Sequence, residues 1–336
     1  MNTIFQRTGF DSWPGNWVRR IRRRYNDHCI NILAYHRIAN RRSALCPPGA
    51  PVHAPAEFER HMDYLAACFQ PVGLRRVVQA ARDGESLRRA VVVTLDDGWA
   101  DSLSEAALIT ARRGIPITIF PVTSVIGNAD LIWQHKLAWL ISEGHGDRVI
   151  HAMSAAGIAP PSLDRSVAEH ARQSFRADLP DILESVARDA GTTGAALAAR
   201  YRPYVEPEEM AAADPDLIEF GNHTHRHVIL SALTEGQQRR EMESARDCID
   251  AIVGRAPLAL AYPFGLKRHI GEDSRRLAVE TGHQAVLDLR RRVNHRDVDP
   301  LSLSRKPAPS GTQSEFERIV EDWPANTEII APSVRR

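Results

Sequence analysis

Two adjacent carboxylates, Asp96 and Asp97, follow the apolar, β-branched run VVVTL at residues 91–95. A short run of this kind is typical of a buried strand. Neighbouring carboxylates repel each other, and a divalent cation beside them would offset both charges. The pair therefore raises the question of what it holds at the end of a strand.

A histidine pair follows another apolar run, LIEFG at 217–221, where NHTHRH places His223 and His227 four residues apart. On one helical turn this spacing would direct both imidazoles to the same side. Two histidines and a carboxylate form a common ligand set for a divalent metal. The spacing alone is weak, because the chain has 14 histidines, and a polar turn of exposed histidines is the alternative. The position after a strand candidate, shared with the aspartates, favours one common site.

The elements that must position these residues are short apolar runs alternating with helical patterns. The strand candidates are 29–35, 91–95, 115–120, 217–221, 257–262 and 284–289. This alternation predicts βαβ units and a largely parallel sheet. No GxGxxG follows the first strand and no GxxxxGK[ST] occurs, which disfavours the nucleotide-binding folds. We therefore expect a barrel, in which chemistry gathers at the carboxyl ends of the strands.

One stretch, from about 124 to 215, has helix-like sequence without a convincing strand. We interpret it as a helical insertion between two barrel strands. It could cover the active site and help to select the substrate, or it could serve packing alone, and the sequence favours neither.

Three motifs then carry a family resemblance: TLDDG (94–98), HTHRH (223–227) and AYPFG (261–265), in this order. They resemble the motifs of the polysaccharide deacetylases with a NodB-homology domain, carbohydrate esterase family 4. The opening ILAYHRI (32–38) resembles the exopolysaccharide branch of that family. The resemblance implies an α/β fold, a distorted (β/α)7 barrel related to the TIM barrel.

The resemblance also implies roles for the motif residues. Asp97, His223 and His227 would bind a divalent metal, and Asp96 would be the general base that takes a proton from water. Zinc is favoured by this ligand set, although cobalt, nickel or iron would fit it as well. The backbone N–H of Phe264 would stabilise the oxyanion, although an ordinary Pro–Gly turn is the alternative at AYPFG.

Two departures from the family pattern lead to further candidates. The third motif often begins with an arginine that orients the base, but here Ala261 stands there; we expect Arg305 to supply the guanidinium. The C-terminal Leu-x-His motif, which often carries the general acid, is absent. His36, directly after the first strand, becomes the candidate, because some members of the exopolysaccharide branch look circularly permuted. The alternative is that His36 only forms hydrogen bonds at the barrel rim.

Composition narrows the partners and the location. A formal net charge of +1 gives no support for nucleic-acid binding. The four cysteines lack CxxC spacing, so the sequence suggests neither a zinc ribbon nor a disulfide framework. We expect residues 1–27 to form a flexible basic leader, and the alternative is that this leader makes peripheral contact with an anionic membrane. Residues 28–336 are expected to form a single barrel domain. No signal peptide or transmembrane segment is recognisable, which predicts a cytoplasmic protein.

The predicted function is a metal-dependent hydrolase that removes N-acetyl groups from an amino-sugar polysaccharide, oligosaccharide or glycan precursor. One alternative is deformylation or deacetylation of a lipid-linked sugar at the inner membrane face. Another is a non-catalytic carbohydrate-binding barrel, against which the complete set of candidate ligands and base argues. No particular sugar, acyl group or oligomeric state is favoured.

Overall fold

The computed structural model describes residues 27–162, 165–290, 292–295 and 298–321. The leader expected over residues 1–27 lies outside these ranges except for Asp27, so its membrane contact stays a prediction. Within the described ranges, no helix is both long enough and apolar enough to cross a bilayer.

The strands of the described residues are mostly short. They are β1 (Cys29–Tyr35), β2 (Arg37–Ile38), β3 (Val52–His53), β4 (Gln70–Pro71), β5 (Ala90–Asp97), β6 (Ile117–Pro121), β7 (Ile218–Phe220), β8 (Ala259–Ala261), β9 (Ala285–Asp288), β10 (Asn294–His295), β11 (Leu303–Ser304) and β12 (Lys306–Pro307). Every strand candidate from the sequence overlaps one of these strands.

The helices of the described residues surround the strands. They are α1 (Pro55–Cys68), α2 (Leu74–Asp83), α3 (Leu108–Ala111, preceded by a π-helical turn over Ser102–Ala107), α4 (Trp133–Ser142), α5 (Gly146–Ala155), α6 (Val167–Gln173), α7 (Leu179–Asp189), α8 (Gly194–Tyr201), α9 (Pro207–Ala211), α10 (Glu235–Val253), α11 (Ser274–Glu280) and α12 (Gln313–Glu321). Short 3₁₀ turns lie at Thr123–Asn128, Leu230–Ala232, Lys267–His269 and Pro300–Ser302.

Within the described ranges, seven strand positions, all parallel, close into a ring. One sheet runs β12–β1–β5–β6–β7 and another runs β8–β9–β11. Asn222, just after β7, bridges to Leu260 in β8, and β11 continues into β12 through Arg305. The single bridge and the interrupted last strand make the ring irregular. The prediction of a distorted (β/α)7 barrel is confirmed.

The alternation of side chains along β5 directs residues into and out of the barrel. Val91, Val93 and Leu95 pack outward against the apolar face of α1. Val92 belongs to the inner cluster with residues of β1, β8 and β9. Asp96 lies four residues beyond Val92 on the inward face, so the period of the strand brings its carboxylate into the mouth of the barrel.

The chain between β6 and β7 forms the helices α4 to α9. Their apolar residues, among them Trp133, Leu140 and Leu183, share one hydrophobic cluster with Trp99 and Tyr262 of the barrel. Because Trp99 follows β5 and Tyr262 follows β8, these helices pack against the end of the barrel where the carboxyl ends of the strands lie.

Candidate active site

A buried ion pair joins Asp96 to the end of the chain. Arg305 donates from Nη1 to Oδ1 of Asp96 over 2.6 Å and from Nη2 to Oδ2 over 2.8 Å. It also donates to the Thr94 hydroxyl over 3.1 Å. Asp96 and Arg305 are only 2% and 1% exposed. Burial alone would raise the pKa of Asp96, but the Arg305 charge, with His223, holds the pKa below its usual value. Asp96 is therefore ionised at neutral pH.

At Asp97 the backbone leaves the extended conformation of β5. Its φ is +69° and that of Gly98 is +70°, a left-handed pair that ends the strand sharply. A Cβ on Gly98 would lie 2.8 Å from Cβ of Pro121, so only glycine fits this turn. Burial would raise the pKa of Asp97, but His135 and His227 hold the pKa well below its usual value.

The histidine pair lies in a loop and not on a helical turn, so the helical expectation is wrong. Thr224 has a φ of +65° and His227 one of +56°, which no α-helix accommodates. The His227 amide donates to the Thr224 hydroxyl over 3.1 Å. This tight loop brings the Nε2 atoms of His223 and His227 to 3.2 Å from each other, so the imidazoles meet without helical geometry.

Asp97, His223 and His227 have the geometry and chemistry of a metal site. One ligand atom from each lies within 4.8 Å of the others, and Oδ1 of Asp97 is buried without a hydrogen-bond partner among the residues that the structure describes. Nδ1 of His223 donates to the Ala261 carbonyl over 2.8 Å, which leaves the Nε2 lone pair free. Burial lowers the pKa of His223, and that of His227 to about 3. Both imidazoles are therefore neutral, the form that binds a cation.

The remaining candidates line the same cavity of about 430 Å³. His36 is half-buried at its rim, and its Nδ1 is buried with no hydrogen-bond partner in the described part of the chain. Phe264 has a φ of +62°, and its amide has no hydrogen-bond acceptor among the described residues. The structure thus brings together all seven residues selected from the sequence: Asp96, Asp97, His223, His227, His36, Phe264 and Arg305.

His135, on α4 of the insertion, lies beside the metal-site carboxylate and was missed by the sequence reasoning. Its Nε2 is 3.6 Å from Oδ2 of Asp97, and its Nδ1 is 2.7 Å from the Tyr204 hydroxyl. That hydroxyl accepts the Ile132 amide over 3.0 Å, so its own proton is directed to Nδ1 of His135. The imidazole therefore carries its proton on Nε2, facing Asp97.

An aromatic wall, also missed, stands beside His135. The Trp99 ring lies 4.3 Å from that imidazole, centroid to centroid, and the Arg37 guanidinium lies 4.7 Å above Trp99. Asp101 accepts from Nε of Arg37 over 3.1 Å. Trp99 directly follows the aspartate motif TLDDG, and this position was the sequence signal for it. His135 lay in an amphipathic helical pattern that gave no such signal.

Comparisons with known proteins agree with this geometry. A sequence profile of the family described as Polysaccharide deacetylase matches residues 83–286. The protein named "Putative polysaccharide deacetylase YxkH" from Bacillus subtilis (strain 168) is 20% identical over 295 residues, 87% of this chain and 76% of its own.

Solved structures of other proteins share the fold. The Streptococcus pyogenes deacetylase PplD, solved in complex with acetate, aligns with a TM-score of 0.59 at 15% identity, over 88% of this chain and 98% of its own. IcaB from Ammonifex degensii aligns with a TM-score of 0.55 at 16% identity, over 87% and 96%. With the profile match across the aspartate, histidine and Pro–Phe–Gly motifs, the chain belongs to the polysaccharide deacetylase family of hydrolases.

Proposed function

We propose that this hydrolase is metal-dependent and removes N-acetyl groups from an amino-sugar polysaccharide, oligosaccharide or glycan precursor. The observation that carries the proposal is an ionised, buried Asp96 in one cavity with three neutral or anionic ligand donors. The family match supports the reaction class.

Asp97, His223 and His227 would hold the metal, and zinc suits two histidines and one carboxylate best, with cobalt, nickel or iron as alternatives. When bound, the metal supplies Lewis acidity at the reacting centre. Oδ2 of Asp96 lies 3.9 Å from Nε2 of His223, beside this ligand set. Asp96 therefore accepts the proton of the attacking water, and Arg305 fixes the orientation of its carboxylate.

The other two groups act on the substrate amide. The Phe264 N–H donates to the oxygen of the amide as negative charge develops there. His36 delivers a proton to the leaving nitrogen, a task that suits an imidazole near neutral pH. Both groups face the cavity that contains Asp96, so base, oxyanion donor and acid surround one substrate position.

Release of acetate tests the proposal. Metal-loaded protein is incubated with N-acetylated glucosamine oligomers, with and without a chelator. N-formylated sugars are assayed in the same way to test for deformylation. We expect acetate release that the chelator abolishes and added zinc restores. Stoichiometric metal content without release from any substrate would favour the non-catalytic carbohydrate-binding barrel instead.

A further inference from the structure

A second cleft of about 1060 Å³ opens beside the active-site cavity. Tyr262 and Leu289 line both, so the two spaces are neighbours. The backbone connects them as well, because the Arg305 amide donates to the Asp288 carbonyl over 2.7 Å. A volume of this size accommodates a sugar residue and its substituents, not only a lone ion.

Positive charge dominates the lining of this cleft. Glu272 and Asp288 are its acidic residues. Its basic residues are Lys267, Arg268, Arg275, Arg290 and Arg292.

The acidic groups leave this charge only partly balanced. Asp288 is almost fully buried and pairs with both Arg290 and Arg292, each at 2.6 Å. Arg275 pairs with Asp299 outside the lining. Lys267 and Arg268 are exposed and form no ion pair with the described residues. The cleft therefore has a net positive potential that attracts anions.

Two buried donors in the lining lack acceptors. The Tyr262 hydroxyl and Nε of Arg292 are buried without a hydrogen-bond partner in the described residues, and Tyr262 is only 3% exposed. Buried polar groups are almost always hydrogen-bonded in folded proteins. A ligand oxygen in the cleft would satisfy them, and Tyr262 lies at the boundary with the active site.

We propose that this cleft binds an anionic group, phosphate or carboxylate, on the sugar whose N-acyl group reacts at the metal site. The inference rests on the proposed function and narrows its substrate to anionic N-acyl sugars and glycans. Exposed Lys267 and Arg268 attract the anion, and the Tyr262 hydroxyl donates to it where the cleft meets the active site.

The test compares substrates that differ in charge. Metal-loaded protein is assayed with N-acetylglucosamine 1-phosphate, with a glucuronate-linked N-acetylglucosamine disaccharide, and with neutral N,N′-diacetylchitobiose. We expect kcat/KM to favour at least one anionic substrate over the neutral one by about tenfold, and this preference to fall as salt is added. Comparison of the phosphate substrate with the glucuronate substrate identifies which anion the cleft binds.

Variants locate the effect in the cleft. Lys267→Ala/Arg268→Ala and, separately, Tyr262→Phe should each reduce the anionic-over-neutral ratio, by about tenfold in the double variant. The control Arg60→Ala/Arg82→Ala removes two exposed charges outside the cleft and should leave the ratio unchanged. An equal rate on charged and neutral substrates, or an equal response of both to the double variant, would overturn the inference.

Direct binding separates this inference from the proposed function. If no substrate is hydrolysed, the proposed function fails, and calorimetric titration of N-acetylglucosamine 1-phosphate and of the glucuronate disaccharide still tests the cleft. Binding of either that is weakened in Lys267→Ala/Arg268→Ala but retained in the control supports it. Absence of binding of both to the wild-type protein contradicts it.

Discussion

The contact between Asp96 and Arg305 sets the charge of the proposed general base. A carboxylate buried in the barrel mouth would be neutral without a counter-charge. The bidentate guanidinium keeps it anionic and fixes both oxygens. A lowered pKa makes the carboxylate a weaker base, so in the proposed mechanism it depends on a metal held by Asp97, His223 and His227 to activate the water.

Substitutions within the aspartate pair should separate metal binding from turnover. Asp97→Ala removes a ligand, and we expect loss of bound metal and of activity with the barrel still folded. Asp96→Asn removes the proton acceptor but no proposed ligand, so it should retain metal and lose turnover. Elemental analysis, circular dichroism and acetate release measure the three properties. Wild-type turnover in metal-replete Asp96→Asn would exclude the base role.

His36 should behave as an acid that is not a ligand. His36→Ala is expected to retain metal and lose about 10²- to 10⁴-fold in kcat, the usual contribution of a positioned acid or base. The basic limb of the pH–rate profile, where the acid must stay protonated, should flatten or shift. Loss of metal in this variant would make His36 a support of the metal site, and an unchanged rate would remove it from the mechanism.

Arg305→Ala should be costly for stability as well as for catalysis. It leaves the Asp96 charge buried and unpaired, which typically destabilises a protein by about 3–5 kcal/mol. We expect the double variant Arg305→Ala/Asp96→Asn to recover much of this loss, because no buried charge remains. Denaturant unfolding of the single and double variants measures the coupling. Purely additive effects would contradict a direct interaction.

At the scale of elements, the insertion contacts the candidate metal site as well as the barrel core. Helix α4 places His135 3.6 Å from Asp97, and Tyr204, between α8 and α9, fixes the tautomer of His135. The His135 imidazole faces Oδ2 of Asp97, so Oδ1 is available to the proposed cation. We infer that the insertion and the metal site depend on each other, whether or not the helices also cover the substrate.

Tyr204→Phe tests this dependence by removing one hydroxyl. Without it Nδ1 of His135 loses its donor, and we expect metal affinity to fall by about 10- to 100-fold, the usual effect of an outer-shell substitution. Tyr201→Phe, a few residues earlier and 36% exposed, is the matched control and should bind metal as the wild type does. Competition with a coloured chelator measures both. Equal metal affinities of Tyr204→Phe and the wild type would show that the contact between Tyr204 and His135 does not support Asp97.

The sequence was sufficient for the strands and for the motifs that follow them, because β-branched runs and strand-end polar residues are local signals. It was insufficient for His135, which reaches Asp97 from 38 positions away only through packing of α4 onto the barrel. The histidine loop was also misjudged, since left-handed Thr224 and His227 have no reliable signature in non-glycine residues. Arg305 could be proposed only because an expected arginine was missing.

At the scale of the whole molecule, a second histidine cluster lies away from the metal site. His61 is buried, stacked on Phe316 with ring centroids 3.7 Å apart, and 3.2 Å from the Tyr35 hydroxyl. Burial, together with the neighbouring His53 and Arg60, lowers the pKa of His61 to about 3. The folded protein thus keeps this imidazole neutral, whereas the unfolded chain protonates it near its ordinary pKa of about 6.5.

Stability should therefore decrease as the pH falls. Between about pH 6.5 and 3 the unfolded chain binds the additional proton, so this group alone lowers the free energy of unfolding by about 1.4 kcal/mol per pH unit. Denaturant unfolding measures the free energy of unfolding at pH 7.5 and at pH 5, and we expect a smaller decrease between them in His61→Phe than in the wild type. Tyr35→Phe removes the same hydrogen bond but keeps the imidazole, so it should retain the dependence. An equal dependence of the free energy of unfolding on pH in all three proteins would exclude His61 as a source of the pH dependence.

The passage of the chain from β11 through Arg305 into β12 has a consequence for biosynthesis. Until these residues emerge from the ribosome, the edge of β1 at Leu33 and Ala34 and one edge of β9 have no partner strand, and Asp96 lacks the Arg305 counter-charge. Exposed strand edges are the usual starting points of aggregation. A chain that stops short of residue 303 therefore has neither a closed barrel nor the ion pair that holds the proposed base, so the barrel and the candidate active site are completed together, late in synthesis.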